Sequence, residues 1–337
     1  MGKRVEIICE YQPYIDRPPQ STQQLYSQAC SNDAVTVNAW RDVWIRNAKA
    51  NHKRLGSFAA HGVGKLWGKH RNSPGIVVGS GPSLKGNAAG LAANPGIPVI
   101  SCLHNFHFLE DLGAKVDYYV SLDAGPVTIE EVSEGGSKTP EEYWAMTEGK
   151  TLIAYVATDP GLLEKWRGEV YVYNCPVPDE VVMKELDTLE PFHTFVSSGG
   201  NVLGAATYIA KSILGCNPLI FMGADFSFSY LDKFHGWDSK YDANLGQYVR
   251  MVDVYGNSVK SWQSYANFKA WFDWLSMSVP GLYINCTEGG TFGAYREGNI
   301  RSVIQMDLKD CLRQFALCDE LKEQCQNPGT SERKILF

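Results

Sequence analysis

The chain has 337 residues, of which 44% are hydrophobic and 20% are charged, a balance typical of folded globular proteins. Its formal net charge of −6 argues against a general nucleic-acid binder, which would need a basic stripe on its surface. No apolar run approaches the ~18 residues of a membrane span, so no span is predicted.

The first part of the chain, residues 1–72, is predicted to be an extension outside the main domain. A short strand and a Pro-rich loop are expected over 1–20, and mainly helix over 21–72. The stretch from Arg41 to Arg71 is basic while the rest of the chain is acidic. This stretch is either a solvated helix face or a contact for an anionic partner.

Strands and helices alternate from residue 73 onward. The predicted strands are 76–78, 98–102, 118–121, 151–155, 170–173, 219–222 and 282–285. The predicted helices are 84–93, 104–112, 126–133, 160–167, 179–189, 200–214, 261–278 and 305–322. This alternation of apolar strands with helices predicts a Rossmann-like α/β domain over 73–300, with a doubly wound, mostly parallel sheet. A C-terminal helix and a loose tail are expected over 301–337.

A glycine-rich turn follows the first strand of this domain. It contains Gly79, Ser80, Gly81, Pro82 and Ser83, and a helix is predicted to begin after it. Glycines let a backbone approach a phosphate, and the N–H groups of a helix's first turn point toward such an anion. Ser83 can cap the helix or donate its hydroxyl to the phosphate. The alternative is a tight turn without a ligand.

A second element of this kind precedes the helix predicted over 200–214. It contains Ser197, Ser198, Gly199, Gly200 and Asn201. Two hydroxyls, two glycines and an amide at a helix start favour a phosphate or a sugar hydroxyl. The alternative is a helix cap whose glycines allow close packing.

Other polar residues follow the remaining strands, and ligands of doubly wound sheets bind beyond the carboxyl ends of the strands. Asn105 is a candidate for a base edge or a phosphate, Asp123 for a hydroxyl or a divalent metal, and Glu288 for the substrate. Asp225 is a candidate catalytic residue, which could bind a sugar hydroxyl, hold a metal or orient a base. Local turns that satisfy their own backbone are the competing explanation.

Three histidines are candidates for the same edge of the sheet. One of His104 and His107 is expected to face the site while the other packs. His235 lies in a loop after the strand 219–222, where it is a candidate general base because its pKa is close to working pH. A surface histidine is the competing interpretation.

The nine cysteines include no CxxC pair and no spacing typical of zinc. Several lie beside apolar strands, where a free thiol behaves as a small hydrophobe. Residues 1–10 lack the pattern of a secretory signal. We therefore expect reduced thiols, no bound metal and a cytoplasmic protein.

Taken together, these motifs resemble the family of MptE-like proteins and motility accessory factors (Maf flagellin glycosyltransferases), formerly a domain of unknown function. The matching pieces, in chain order, are 79–84, 119–123, 199–200, 215–218, 223–228 and 285–290. The resemblance implies a glycosyltransferase that moves a nonulosonic acid, such as pseudaminic acid, from a CMP-sugar donor to a hydroxyl acceptor. The sequence leaves open whether that acceptor is a protein, a glycan or a modified base.

A more distant similarity to bacterial sialyltransferases of the Campylobacter type assigns roles within the site. It implies that Gly81, Ser83 and Asn105 hold the CMP part, and that Ser198 and Gly199 hold the phosphate or the donor sugar. It also implies that His235 deprotonates the acceptor. Ser80 stands where those enzymes have asparagine.

Two other functions stay open. One is the ATP- and Mg²⁺-dependent 6-hydroxymethylpterin diphosphokinase of the same family, whose acidic motif is replaced here by Ser121-Leu122-Asp123-Ala124. Phosphoryl transfer depends on metal and charge clamping, so this replacement counts against it. The other is a nucleotide-binding module without catalysis.

Overall fold

The computed structural model describes residues 10–191, 194–228 and 248–316. The strands are β1 Tyr14–Ile15, β2 Gly75–Val78, β3 Val99–Cys102, β4 Tyr118–Ser121, β5 Thr151–Tyr155, β6 Glu169–Tyr173, β7 Leu219–Met222, β8 Val249–Val252, β9 Ser258–Ser261, β10 Tyr283–Asn285, β11 Ala294–Tyr295, β12 Gly298–Ile300 and β13 Val303–Gln305. The helices are α1 Thr22–Ala29, α2 Asp33–Leu55, α3 Leu84–Asn87, α4 Phe106–Asp111, α5 Val127–Ser133, α6 Pro140–Met146, α7 Pro160–Lys165, α8 Glu180–Leu189, α9 Val202–Tyr208 and α10 Gln263–Ser278. Residues 308–316 are also helical.

Eight strands form one parallel sheet in the order β13-β10-β7-β2-β3-β4-β5-β6. The chain enters the sheet at β2, extends it on one side to β6, and then returns to the other side of β2 with β7. Every residue of β2, β3, β4 and β7 is buried, as expected for strands covered by helices on both faces. The α/β fold with a parallel sheet is therefore confirmed.

The sheet separates two hydrophobic cores, because successive side chains of a strand point to opposite faces. Val77 of β2 packs in the core that contains Phe272 of α10, whereas Ile76 and Val78 pack in the core that contains Phe106 of α4. The sheet is thus held from both sides, and its carboxyl edge is a fixed platform for the loops that follow each strand.

All seven strands predicted for the main domain are present in the parallel sheet, and the structure adds an eighth strand to that sheet, β13 at Val303–Gln305. The boundary predicted at residue 300 therefore falls inside the sheet, and the helix predicted from 305 is described from 308. Helix α6 was also not predicted, although Thr139 and Glu142 form a capping box at its start.

Helices α1 and α2 of the N-terminal extension pack against the main domain. Asn47 and Asn51, both buried, donate from α2 to backbone carbonyls that follow β4 and β5: Ala124, Ala157, Val156 and Thr158. These bonds fix α2 over the carboxyl edge of the sheet, because breaking them would leave buried carbonyls without partners.

Three basic side chains of the N-terminal extension pair with carboxylates of the same chain. Arg41 bonds Asp179, Lys49 bonds Glu185 at 2.8 Å, and His52 bonds Glu190 at 3.1 Å, all on or beside α8. These basic groups therefore dock α2 on α8, and the anionic partner considered from the sequence is not needed to explain them. Within the described part of the chain, no helix combines the length and apolar character that a membrane crossing requires.

Candidate functional site

The glycine turn after β2 packs closely against the loop after β7. Gly79 N donates to Met222 O at 2.8 Å, and Gly81 N donates to Gly223 O at 2.9 Å. A Cβ placed on Gly79 would lie 2.5 Å from Gly223 O, so glycine is required for this backbone approach. These two N–H groups thus have partners inside the chain, and the phosphate contact predicted for the turn does not use them.

Asp225 joins the two loops. Its carboxylate accepts from Ser83 Oγ at 2.7 Å and from Ser83 N at 3.2 Å, and the residue is 1% exposed. Ser83 makes no side-chain cap on α3, contrary to one of its two predicted roles, because its hydroxyl is directed to Asp225. The catalytic role of Asp225 stays a prediction. Its observed role is to hold the β2 and β7 loops together.

Two further predicted residues also make bonds within the chain. Asn105 is fully buried and donates to Val78 O, Gly79 O and Ser101 Oγ at 3.0–3.3 Å, so it fixes the turn to β3. Glu288 accepts from Leu308 N at 3.0 Å, at the start of the helical residues 308–316.

A cavity of about 860 Å³ lies beside these loops, at the ends of β3, β4, β5 and β6. Its volume falls within the range of pockets that hold small molecules. Seven of the residues that the sequence suggested for the site line it: His104, Asp123, Ser197, Ser198, Gly199, Gly200 and Asn201. The predicted residues of the glycine turn, together with Asn105, Asp225 and Glu288, do not. The structure thus divides the predicted site into a packed seam and an open cavity.

The loop 197–201 forms one side of the cavity. Ser198 Oγ accepts from Gly200 N at 3.2 Å, and Asn201 Oδ1 caps α9 by accepting from Gly204 N at 2.9 Å. Gly199 and Gly200 have φ values of +57° and +82°, a conformation that favours glycine. A Cβ on Gly199 would lie 2.4 Å from the Trp271 ring, so the loop is pressed against α10. Burial raises the pKa of the nearby Cys175 thiol to about 12, while its hydrogen bond with Ser198 lowers it.

Three polar side chains border the cavity near the strand ends, and two of them follow strands while Glu131 comes from α5. Asp123 is exposed and accepts from Gly125 N at 2.8 Å. His104 Nδ1 lies 3.1 Å from Glu131 Oε1, and both residues line the cavity. His107 is buried, so His104 is the member of the predicted pair that faces the site. The His104–Glu131 pair was not predicted, because the two residues lie on different elements.

Five aromatic side chains, here called the aromatic wall, line the cavity, and the sequence did not assign them to the site. The wall is built by Tyr26 of α1, Trp40 and Trp44 of α2, and Phe268 and Trp271 of α10. Trp40 and Trp44 are four residues apart and therefore share a helix face. This spacing is visible in the sequence, but nothing in the sequence shows that α2 lies over β4 and β5.

Tyr155 at the end of β5 completes the cavity behind Trp44, with the two ring centroids 6.4 Å apart and edge-on. The tyrosine is 2% exposed, and its hydroxyl has no hydrogen-bond partner among the residues that the structure describes. Burial raises the pKa of this hydroxyl well above its usual value, so it stays protonated. The predicted base, His235, lies outside the described residues.

Comparisons with known proteins give one family and one related structure. The family described as "6-hydroxymethylpterin diphosphokinase MptE-like" matches residues 45–230, more than half of the chain. No curated protein matches the sequence. A solved structure described as the Maf glycosyltransferase of Magnetospirillum magneticum AMB-1 is similar, with a TM-score of 0.51 and 17% identity. The similar region covers 77% of this chain and 40% of that chain, and at this identity it shows the fold alone.

Proposed function

Because the chain belongs to the MptE-like family, as its motifs predicted, we propose that it is a transferase that moves a glycosyl group. The donor is a nucleotide sugar, of the CMP-linked type that the motifs predicted, and the acceptor is a hydroxyl. The fold shared with a Maf glycosyltransferase supports this choice within the family.

The observation that carries the proposal is the cavity at the carboxyl ends of β3–β6. Its volume of about 860 Å³ suits a nucleotide sugar or a donor and part of an acceptor. It combines aromatic side chains, which suit rings, with the hydroxyls of Ser197 and Ser198 and the glycine backbone between them and α9. Such a lining matches a ligand that has both rings and a phosphate.

In the proposed mechanism the phosphate lies along the loop 197–201, where the hydroxyls of Ser197 and Ser198 donate to it and stabilise negative charge on the leaving nucleotide. The acceptor oxygen attacks the anomeric carbon, and the bond from that carbon to the phosphate oxygen breaks. His235 takes the acceptor proton, as predicted from the sequence. The Ser83–Asp225 seam positions the strand ends, and its residues need no contact with the reacting atoms.

A ligand panel followed by turnover measurements tests this proposal. CMP should raise the melting temperature more than CDP, UDP or ATP, and without Mg²⁺. A CMP-sugar should then be consumed, by hydrolysis or by transfer. We expect His235→Ala to abolish consumption and leave CMP binding intact, whereas Ser198→Ala should weaken binding. Ser27→Ala, an exposed serine of α1 outside the cavity lining, is the matched control. Normal turnover by the His235 variant would refute its role as the base.

The pterin diphosphokinase is the second candidate, and its support is the description of the family itself. Aromatic walls with the carboxylates of Asp123 and Glu131 would also suit a flat heterocycle that carries amino groups. Among the residues that the structure describes, however, no three His, Cys, Asp or Glu side chains group as a metal site requires. Stabilisation by ATP that depends on Mg²⁺, with none by CMP, would favour this candidate.

A further inference from the structure

The cavity is built from two parts of the chain with different relationships to the family. The strand ends, Glu131 and the loop 197–201 lie within residues 45–230, the part that matches the family. The aromatic wall lies outside it, because Trp40 and Trp44 precede residue 45 while Phe268 and Trp271 follow residue 230. The wall therefore comes from parts of the chain that the family match does not include.

A carboxylate borders this wall closely. A Cβ placed on Gly125 would lie 3.2 Å from the Trp40 ring and 3.3 Å from Asp123 Oδ1, so ring and carboxylate lie side by side. The ring of Tyr155 packs edge-on against Trp44, with the two centroids 6.4 Å apart, and supports that indole. A flat apolar surface and a hydrogen-bond acceptor therefore occur together at this wall.

The charges restrict what can bind there. Asp123 and Glu131 are the carboxylates of the cavity, and none of its described lining residues is Lys or Arg. Ionised carboxylates only accept hydrogen bonds, so the ligand has to bring donors. A negative charge on the ligand would be repelled at this wall. A neutral sugar ring meets both conditions, since it has an apolar face and several hydroxyls.

We propose that Trp40, Trp44 and Asp123 form a subsite for the acceptor, and that it binds an uncharged, hydroxyl-bearing sugar ring. The ring stacks on the tryptophans, and its hydroxyls donate to Asp123. That the bound sugar is the acceptor rests on the proposed function, but the binding of the sugar is measured without turnover.

The test is saturation-transfer NMR and calorimetry on the full chain with four probes. These are methyl glucoside and methyl N-acetylglucosaminide as neutral sugars, N-acetylneuraminic acid as an anionic one, and guanosine as a flat heterocycle with amino groups. We expect binding of at least one neutral sugar and little binding of the anionic sugar or of guanosine. Preference for N-acetylneuraminic acid or for guanosine would overturn the proposal.

Variants locate the bound ring. Trp40→Ala should weaken sugar binding by about tenfold, the usual scale of one aromatic contact. Trp67→Ala is the matched control, since Trp67 is 63% exposed and does not line the cavity. Asp123→Asn should reduce the discrimination against N-acetylneuraminic acid. Equal effects of the two tryptophan variants would refute the subsite.

The outcomes separate this inference from the proposed function. Consumption of a CMP-sugar without binding of any neutral sugar would refute the subsite and leave the transferase standing. Binding of a neutral sugar that depends on Trp40, with no nucleotide sugar consumed, would support the subsite and refute the transferase. Absence of both would refute both.

Discussion

Replacement of Gly81 by alanine tests whether the glycine turn is a packed seam. A Cβ at this position would lie 2.0 Å from Asp225 Oδ2, which is too close for any real contact. The carboxylate has to move, and both of its hydrogen bonds from Ser83 are then lost or strained. Hydrogen bonds to a charged group contribute about 1.5–3 kcal/mol each to stability. Alanine restricts the unfolded chain more than glycine does, which stabilises the fold by about 0.4–1 kcal/mol. We expect a net loss of about 2–5.5 kcal/mol.

The assay is urea unfolding of Gly81→Ala beside Gly86→Ala. A Cβ on Gly86 would meet no heavy atom within 4 Å, and Gly86 lies in α3, so this control should be unchanged or up to about 1 kcal/mol more stable. Ser83→Ala should destabilise the wild type but add little to Gly81→Ala, because the bond to Asp225 is already broken there. The reasoning fails if Gly81→Ala is as stable as the wild type yet no longer binds nucleotide, since the turn would then face the ligand.

Three other substitutions test the packing around the cavity. Gly199→Ala should lower the free energy of unfolding by about 2–4 kcal/mol, because the positive φ of Gly199 and the Trp271 ring beside it both exclude a Cβ. An unchanged thermal unfolding curve would contradict this loop geometry. Asn51→Ala should lose about 2–3 kcal/mol, since it leaves two carbonyls unpaired, and urea unfolding checks this. Although burial raises the pKa of Glu190, hydrogen bonds from residues 57–59 and His52 hold it below its usual value of 4.5. The ionised Glu190 therefore stabilises the fold above about pH 4.5, and this stabilisation is lost as pH falls through the lowered pKa. Glu190→Gln should lower the free energy of unfolding by about 1–3 kcal/mol at pH 7 and have no effect near pH 2.

The sheet was predictable because its strands are continuous apolar runs between turn residues. Strand β13 was not predicted, since three residues that include a glutamine carry too weak a pattern, and only pairing with β10 defines it. The edge that holds the site was predictable too, because parallel strands place their carboxyl ends together. Asp123 was thereby predicted to lie at this edge, and Ser198 was predicted from the glycines before a helix. Both residues line the cavity.

The residues of the aromatic wall could not be predicted from strand and turn patterns. Trp40 and Trp44 belong to a helix whose place over β4 and β5 depends on buried amides and on ion pairs with α8, which are contacts between distant parts of the chain. The pairing of His104 with Glu131 likewise depends on how α5 returns to the end of β3. Sequence patterns define elements, whereas these residues meet through the packing of one element on another.

The glycine turn shows why a phosphate motif and a structural seam look alike in sequence. Both need glycines so that a second group can approach the backbone, and both need hydroxyls and N–H groups to meet negative charge. At a phosphate site that charge comes from the ligand, whereas here Asp225 supplies it from the neighbouring strand. A buried carboxylate that already occupies the Ser83 N–H and hydroxyl competes directly with an incoming phosphate at those groups. The ligand is therefore expected one step along the sheet, over β3–β5, where the glycines of the loop 197–201 border an open cavity.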